Sequence, residues 1–309
     1  MHALSTLLRR VCLVTALACV PAFSLSAQQP GSASPGEHRQ GPGDANWAFY
    51  RLAFASINAG EDATTVSQGV MAAKPGAVTG FTLEDTRWTY DDGDLKMEGI
   101  LMKPDGQGPF PAILISHGRG GNAAGFGTQK AQEFVKMGFV CIAPDYTHAG
   151  RGNGGLAGGG APGASPENLK RAAKCLDILQ SLPYVDSNRL AAYGNSMGAF
   201  ITVSLSASEA GRLKATAITA GGVRMRDGAP TVPAGDIPRV PMCILHGGAD
   251  GTVPPDSSAS LKELLDKNHT PNERHVFDGI GHNLHQQKAD EVFGLMKAWF
   301  VKHGVLRSG

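Results

Sequence analysis

The run Pro111-Ala112-Ile113-Leu114-Ile115-Ser116 is apolar at odd and even positions alike. A strand of that kind is stable only in a sheet covered on both faces. Further strands are expected at 139–143, 190–194, 215–219, 240–245 and 274–277, and helical stretches separate most of them. Thr128 is placed to cap a helix with Ala131, Phe134 and Val135 on its inner face and Gly138 at its end. Ser165-Pro166 opens another, with Leu169, Ala172, Leu176, Leu179 and Leu182 as its buried stripe. Further helices are expected near 256–267 and 289–303. Ahead of all these, Thr86–Tyr90 and Met97–Met102 flank Asp91-Asp92-Gly93-Asp94 as a strand, turn and strand. The predicted fold is α/β: one mostly parallel central sheet, opened by an antiparallel hairpin and covered by helices on both faces.

Functional groups in such sheets collect in the loops at the carboxyl ends of the strands. One of these loops is Gly194-Asn195-Ser196-Met197-Gly198, between a strand and an apolar helix. In a Gly-x-Ser-x-Gly turn of this kind the serine takes a strained conformation, and the glycines sit where side chains would collide. The hydroxyl of Ser196 is pushed outward, and the amide of Met197 is left unpaired at a helix start.

A serine hydroxyl needs a base to take its proton, and the base needs an acid to hold its tautomer. Asp250 follows the strand 240–245 in His246-Gly247-Gly248-Ala249-Asp250, and His282 follows 274–277 in Gly281-His282. The order Ser196, Asp250, His282 is the one expected for this type of sheet. Asp278 and His285 are the nearest rivals for the acid and the base, whereas His246 and His275 read as structural. A tetrahedral oxyanion needs a second donor beside Met197. His117-Gly118-Arg119-Gly120-Gly121 supplies it, with the Arg119 N–H first, Gly120 behind it, and His117 orienting the turn. Tyr146 and Arg151, in the Gly-rich loop 145–163, are candidates for contact with substrate. The histidines lack regular metal-ligand spacing, so no metal and no cofactor is expected.

Residues 1–27 read as a signal peptide: Arg9 and Arg10, an apolar run Val11–Val20, then small residues to Ala27. The run is short for a membrane anchor, so no stable membrane insertion is expected once it is removed. Secretion or a periplasmic location follows. Residues 28–44 read as a flexible linker, 45–85 as a helical extension with a short helix at 47–57, and 86–309 as the catalytic domain. Loss of Arg9 and Arg10 leaves 26 basic residues against 27 acidic ones, a balance that does not suggest nucleic acid as a partner. Cys141, Cys175 and Cys243 lie within apolar runs, where free thiols or one bridge are both open. Nothing in the sequence specifies an oligomeric state.

From about residue 86 onward, the four motifs at 117–121, 194–198, 246–250 and 281–282 resemble the alpha/beta-hydrolase fold, most closely its dienelactone hydrolase and prolyl-oligopeptidase-type branches. Ser196 stands where dienelactone hydrolases proper use cysteine, and Ala199, where many relatives carry glycine, should crowd the helix start. The segment before residue 86 reads as too short for the propeller domain that such oligopeptidases carry, and residues 223–239 are short for a lipase lid. The resemblance implies a serine esterase acting on short or medium small-molecule carboxyl esters through an acyl-enzyme. A small peptidase or amidase of the same chemistry and a catalytically silent binding protein are the alternatives.

Overall fold

The computed structural model describes residues 77–150, 162–224, 232–233 and 235–308. The signal peptide, the linker, the helix expected at 47–57 and Arg151 lie outside these residues.

Among the described residues nine strands form one sheet: β1 (Phe81–Glu84), β2 (Arg87–Asp91), β3 (Lys96–Met102), β4 (Phe110–Ser116), β5 (Val140–Pro144), β6 (Val185–Asn195), β7 (Ala215–Thr219), β8 (Met242–Gly247) and β9 (Asn272–Phe277). Their order is β1-β2-β3-β5-β4-β6-β7-β8-β9. The first three and the β3–β5 pair are antiparallel, and the rest are parallel. The chain runs from β4 to β5 on one side and then crosses back to β6 on the other, so β4 and β6 meet where the winding reverses. Loops at such a switch point diverge and leave a crevice.

The hairpin β2–β3 turns as expected, with Gly93 N donating to Asp91 and Leu95 N to Asp92, both at 2.8 Å. The sheet, however, begins ahead of residue 86. β1 pairs with β2 from Phe81↔Tyr90 to Glu84↔Arg87, so 81–84 are strand and do not belong to a helical extension. β1 does alternate apolar and polar residues, Phe81-Thr82-Leu83-Glu84, but over four positions only, most of them exposed.

The helices are α1 (Thr128–Lys136), α2 (Pro166–Ser181), α3 (Met197–Ser208), α4 (Pro255–Lys267), α5 (Leu284–Gln287) and α6 (Ala289–Lys302). On one face Phe134 of α1 and Phe293, Met296 and Phe300 of α6 pack on Ile113, Ile115 and Tyr193. On the other, α2 and α3 cover Leu114, Ile142 and Ala192, and α4 covers Ile218 and Ile244. β4 is thus buried from both sides, as its sequence requires. Ser165 caps α2 by accepting from Asn168 N at 3.3 Å. Thr128 does not cap α1. A π-helical turn, Ala123–Gly127, leads into that helix, and Asn122 caps it through Gly125 N at 2.7 Å. Cys141, Cys175 and Cys243 are buried free thiols, and burial raises the pKa of each.

Candidate active site

β6 delivers Ser196 to the crevice. Its last residues lie in register with β4 and β7, Ser116↔Gly194 and Asn195↔Thr219, and Ser196 N donates to Thr219 O at 2.9 Å. The chain then reverses into α3 through Ser196 at φ 53° and ψ −116°, a left-handed conformation costing about 1–3 kcal/mol for a non-glycine residue. The reversal leaves no room for side chains on either side. A Cβ on Gly194 would stand 2.1 Å from Gly198 O, and one on Gly198 2.1 Å from Ser116 O. Although Ser196 stands at the N-cap, its hydroxyl caps nothing in the helix. It is free for another partner.

That partner is His282, whose Nε2 lies 2.9 Å from Ser196 Oγ. The other ring nitrogen, Nδ1, lies 2.8 Å from Asp250 Oδ2. With Nδ1–H donating to the carboxylate, Nε2 is left as the acceptor of the serine proton. The loops after β8 and β9 hold these side chains together by backbone bonds: Gly248 N to Phe277 O at 2.8 Å and Ala249 N to Ile280 O at 2.9 Å. A Cβ on Gly247 would collide with Ile280 O and Gly281 O at 2.3 Å, so glycine is required where the loops cross.

Asp250 is 4% exposed. Burial alone would push its pKa up, but hydrogen bonds from His246, His282 and the Val253 and Thr252 amides outweigh it and hold the carboxyl well below the usual range. The acid therefore stays ionised. Asp278, the rival acid, is exposed. His285, the rival base, is buried and bonded to the Tyr193 hydroxyl at 2.6 Å, and burial depresses its pKa to about 3.

The loop after β4 lies against Ser196. A Cβ on Gly118 would stand 3.1 Å from Ser196 Cβ. Gly120 N donates to His148 O and Gly121 N to Gly118 O, both at 3.0 Å, whereas the N–H groups of Arg119 and Met197 have no acceptor among the described residues. Behind the loop, His117 Nδ1 donates to Gly118 O at 2.9 Å and Nε2 accepts from Tyr146 N at 3.2 Å. His148 Nε2 donates to His117 O at 3.2 Å. Burial, the main cause in both, lowers the pKa of His117 and of His148 to about 4, so this support is uncharged.

Tyr146 is not brought into the site. It is 2% exposed, and its hydroxyl bonds Ser116 Oγ at 2.8 Å, which makes it part of the wall behind the loop. Beside Ser196, Met197 packs with Ala164, Phe200 and Val253 in an apolar cluster. Among the described residues no group of histidine, cysteine and acidic side chains could hold a metal, and no helix is long and apolar enough to cross a membrane. Sequence reading passed over two features, the contact of His246 with Asp250 and the support of His117 by His148. The first had a signal, a histidine four residues before the acid at a strand end. The second joins residues 31 apart, for which spacing offers no cue.

The sequence model of the Dienelactone hydrolase family matches residues 97–298. Over 241 residues the chain is 24% identical to an uncharacterized peptidase, YtmA, of Bacillus subtilis (strain 168), covering 68% of this chain and 90% of that protein. Over 125 residues it is 27% identical to Esterase FrsA of Enterobacter sp. (strain 638), covering 40% of this chain and 28% of that one. The chain spans about a third or less of the length of several curated relatives it matches. Among solved structures, esterase 2 of Thermogutta terrifontis, phosphoramylated by tabun, superposes with a TM-score of 0.58 at 19% identity, over 77% of this chain and 98% of that one. That likeness is one of fold, the alpha/beta-hydrolase fold.

Proposed function

The chain belongs to the dienelactone hydrolase family, a family of esterase- and peptidase-type hydrolases, and from that premise we propose a serine hydrolase that cleaves short or medium carboxyl esters through an acyl-enzyme. One observation carries the reading: the hydrogen-bonded line from Ser196 through His282 to Asp250, at 2.9 and 2.8 Å. Ser196 Oγ attacks the carbonyl carbon while His282 Nε2 takes its proton, and Asp250 stabilises the imidazolium. The Arg119 and Met197 amides face the oxyanion, each worth about 3 kcal/mol of barrier. Collapse expels the alcohol, which receives the proton from His282. Water then enters by the same route, frees the acid and restores Ser196. The apolar cluster of Met197, Ala164, Phe200 and Val253 suits an acyl chain better than a charged group.

The test is labelling with an ester-reactive phosphonate, located by peptide mass. Modification at Ser196, lost in Ser196→Ala, is expected, and a wild-type protein left unmodified at Ser196 overturns the reading. A panel of nitrophenyl esters of increasing chain length, run beside an anilide and a lactone, assigns the substrate class. The likeness to YtmA over most of that protein's length favours a second reading, a small peptidase. Anilide turnover equal to ester turnover would select it. Residues 1–27 support export. N-terminal sequencing of the protein from an extracytoplasmic fraction should begin past residue 27, and an intact chain retained in the cytoplasm refutes export.

A further inference from the structure

Asp250 carries two imidazoles on one oxygen. Oδ2 takes Nδ1 of His282 at 2.8 Å from the site side and lies 3.3 Å from Nε2 of His246 on the buried side. Oδ1 is occupied separately, by Thr252 N at 2.8 Å and Val253 N at 2.9 Å. The His246 side chain is fully buried. Its Nε2 also lies 3.0 Å from Val253 O, so both atoms facing that nitrogen are oxygens and Nε2 must carry the ring's proton. Nδ1 meets no partner among the described residues. Unlike Asp250 and His282, which stand on loops, His246 belongs to β8 and pairs with Val276 of β9.

We propose that His246 is a positioning residue: by sharing Nε2–H between Val253 O and the Asp250 oxygen that also receives His282, it sets how firmly that carboxylate holds the proton on His282. The proposal rests on the Ser196–His282–Asp250 reading above. A carboxylate oxygen that feeds two N–H donors gives each a weaker bond than it would give one alone. With His246 removed, the two amides on Oδ1 keep the carboxylate in place, and the charge on Oδ2 is left to His282. The imidazolium gains more from this than the neutral ring. Among the described residues His246, from β8, and His282, from the loop after β9, are the ionisable side chains bonded to Asp250. A change in the titration of His282 is therefore traceable to His246.

The experiment follows the protonation of His282 by imidazole NMR in the wild type, His246→Leu and His246→Gln, with the pH profile of ester kcat/KM beside it. Gln places an amide N–H where Nε2 stands. His246→Leu is expected to move the midpoint up by about 0.5–1 pH unit, with the acid limb of kcat/KM following, and His246→Gln to restore it. An unchanged or lowered midpoint in a folded His246→Leu overturns the proposal. Should that variant not fold, His246→Asn takes its place, because its amide falls at the Nδ1 position, away from Asp250. Titration alike in the Asn and Gln variants overturns the proposal. NMR reads His282 without turnover, so failure of phosphonate labelling in the wild type would sink the hydrolase mechanism by a separate measurement.

Discussion

Ala199 and Gly221 share one space. A Cβ on Gly221 would stand 2.2 Å from the Cβ of Ala199, closer than two carbons can approach. Ala199 lies in the first turn of α3, three residues past Ser196, and is fully buried. The crowding expected from an alanine at 199 is thus taken up by a residue that carries no side chain. Because Gly221 follows β7 and Ala199 follows β6, the match fixes how close α3 can sit to the neighbouring strand's end.

Gly221→Ala should therefore destabilise the protein by about 1–3 kcal/mol, the usual range for an extra methyl in a filled core. Ala199→Gly alone should cost about 1 kcal/mol through lost packing and helix propensity. The double variant should be more stable than the sum of the two losses, because the removed methyl makes room for the added one. Urea unfolding of the four proteins measures this coupling, and strict additivity would show that the two residues do not compete.

Acid should weaken the fold well above the range in which carboxylates titrate. Burial, the main cause in each case, lowers the pKa of His117 and His148 to about 4 and that of His285 to about 3. An unfolded histidine titrates at about 6.5. Between these values the unfolded chain binds protons that the folded one refuses, so stability is complete above about pH 6.5 and is lost as pH falls toward 4. Each group contributes up to about 1.4 kcal/mol per pH unit. Asp250 acts lower, since its depressed carboxyl stabilises the fold above the unfolded value of about 3.9 and loses that contribution only as pH falls further. Urea midpoints should drop steeply between pH 6 and pH 4.5, and a flat profile there contradicts the buried neutral histidines.

What the sequence could show was local. β4 was legible because every position is apolar, and Ser196, Asp250 and His282 because each sits in a tight Gly-containing turn at a strand's end. Long-range contacts were not legible. Tyr146 reads as a loop residue facing substrate, yet its hydroxyl finds Ser116 across 30 residues and turns it inward. β1 alternates apolar and polar residues over only four positions, most of them exposed. Thr128 has the chemistry of a cap, but the π-helical turn before it shifts that role to Asn122. Gly221 looks like an ordinary loop residue until the fold sets it against Ala199.

His282 and His285 lie three residues apart, the first ahead of α5 and the second within it, and only one of them can serve Ser196. The Thr219 hydroxyl donates to Asn195 Oδ1 at 2.8 Å, so the Tyr193 hydroxyl, 2.8 Å from Thr219, must donate to it. His285 Nε2, 2.6 Å from Tyr193, is then a donor as well, and it has no lone pair to offer a nucleophile there. His282→Gln should lower kcat on a nitrophenyl ester by about 10³-fold or more. His285→Gln, which keeps an N–H toward Tyr193, should stay within about tenfold of wild type. His285→Phe should cost about 1–3 kcal/mol of stability by leaving Tyr193 with a missing partner. Equal loss of kcat in the two Gln variants would reopen the choice of base.

Asp250→Asn tests the acid without changing its shape. The two amides on Oδ1 donate to it at 2.8 and 2.9 Å, so the substituted side chain must keep its carbonyl oxygen there. Its NH2 then takes the place of Oδ2, facing His282 Nδ1 on one side and His246 Nε2 on the other. His282 can accept from that NH2 only by moving its proton to Nε2, and in that tautomer it cannot take the proton of Ser196. His246 Nε2–H meets a donor, but it keeps Val253 O as an acceptor at 3.0 Å, so the fold should survive with a loss of about 1–3 kcal/mol. The expected result is a folded protein whose kcat at neutral pH is down about 10⁴-fold, the scale of a wrong-tautomer base. Stopped ester assays paired with a urea curve separate the two effects, and a folded variant within tenfold of wild-type kcat would remove Asp250 from the mechanism.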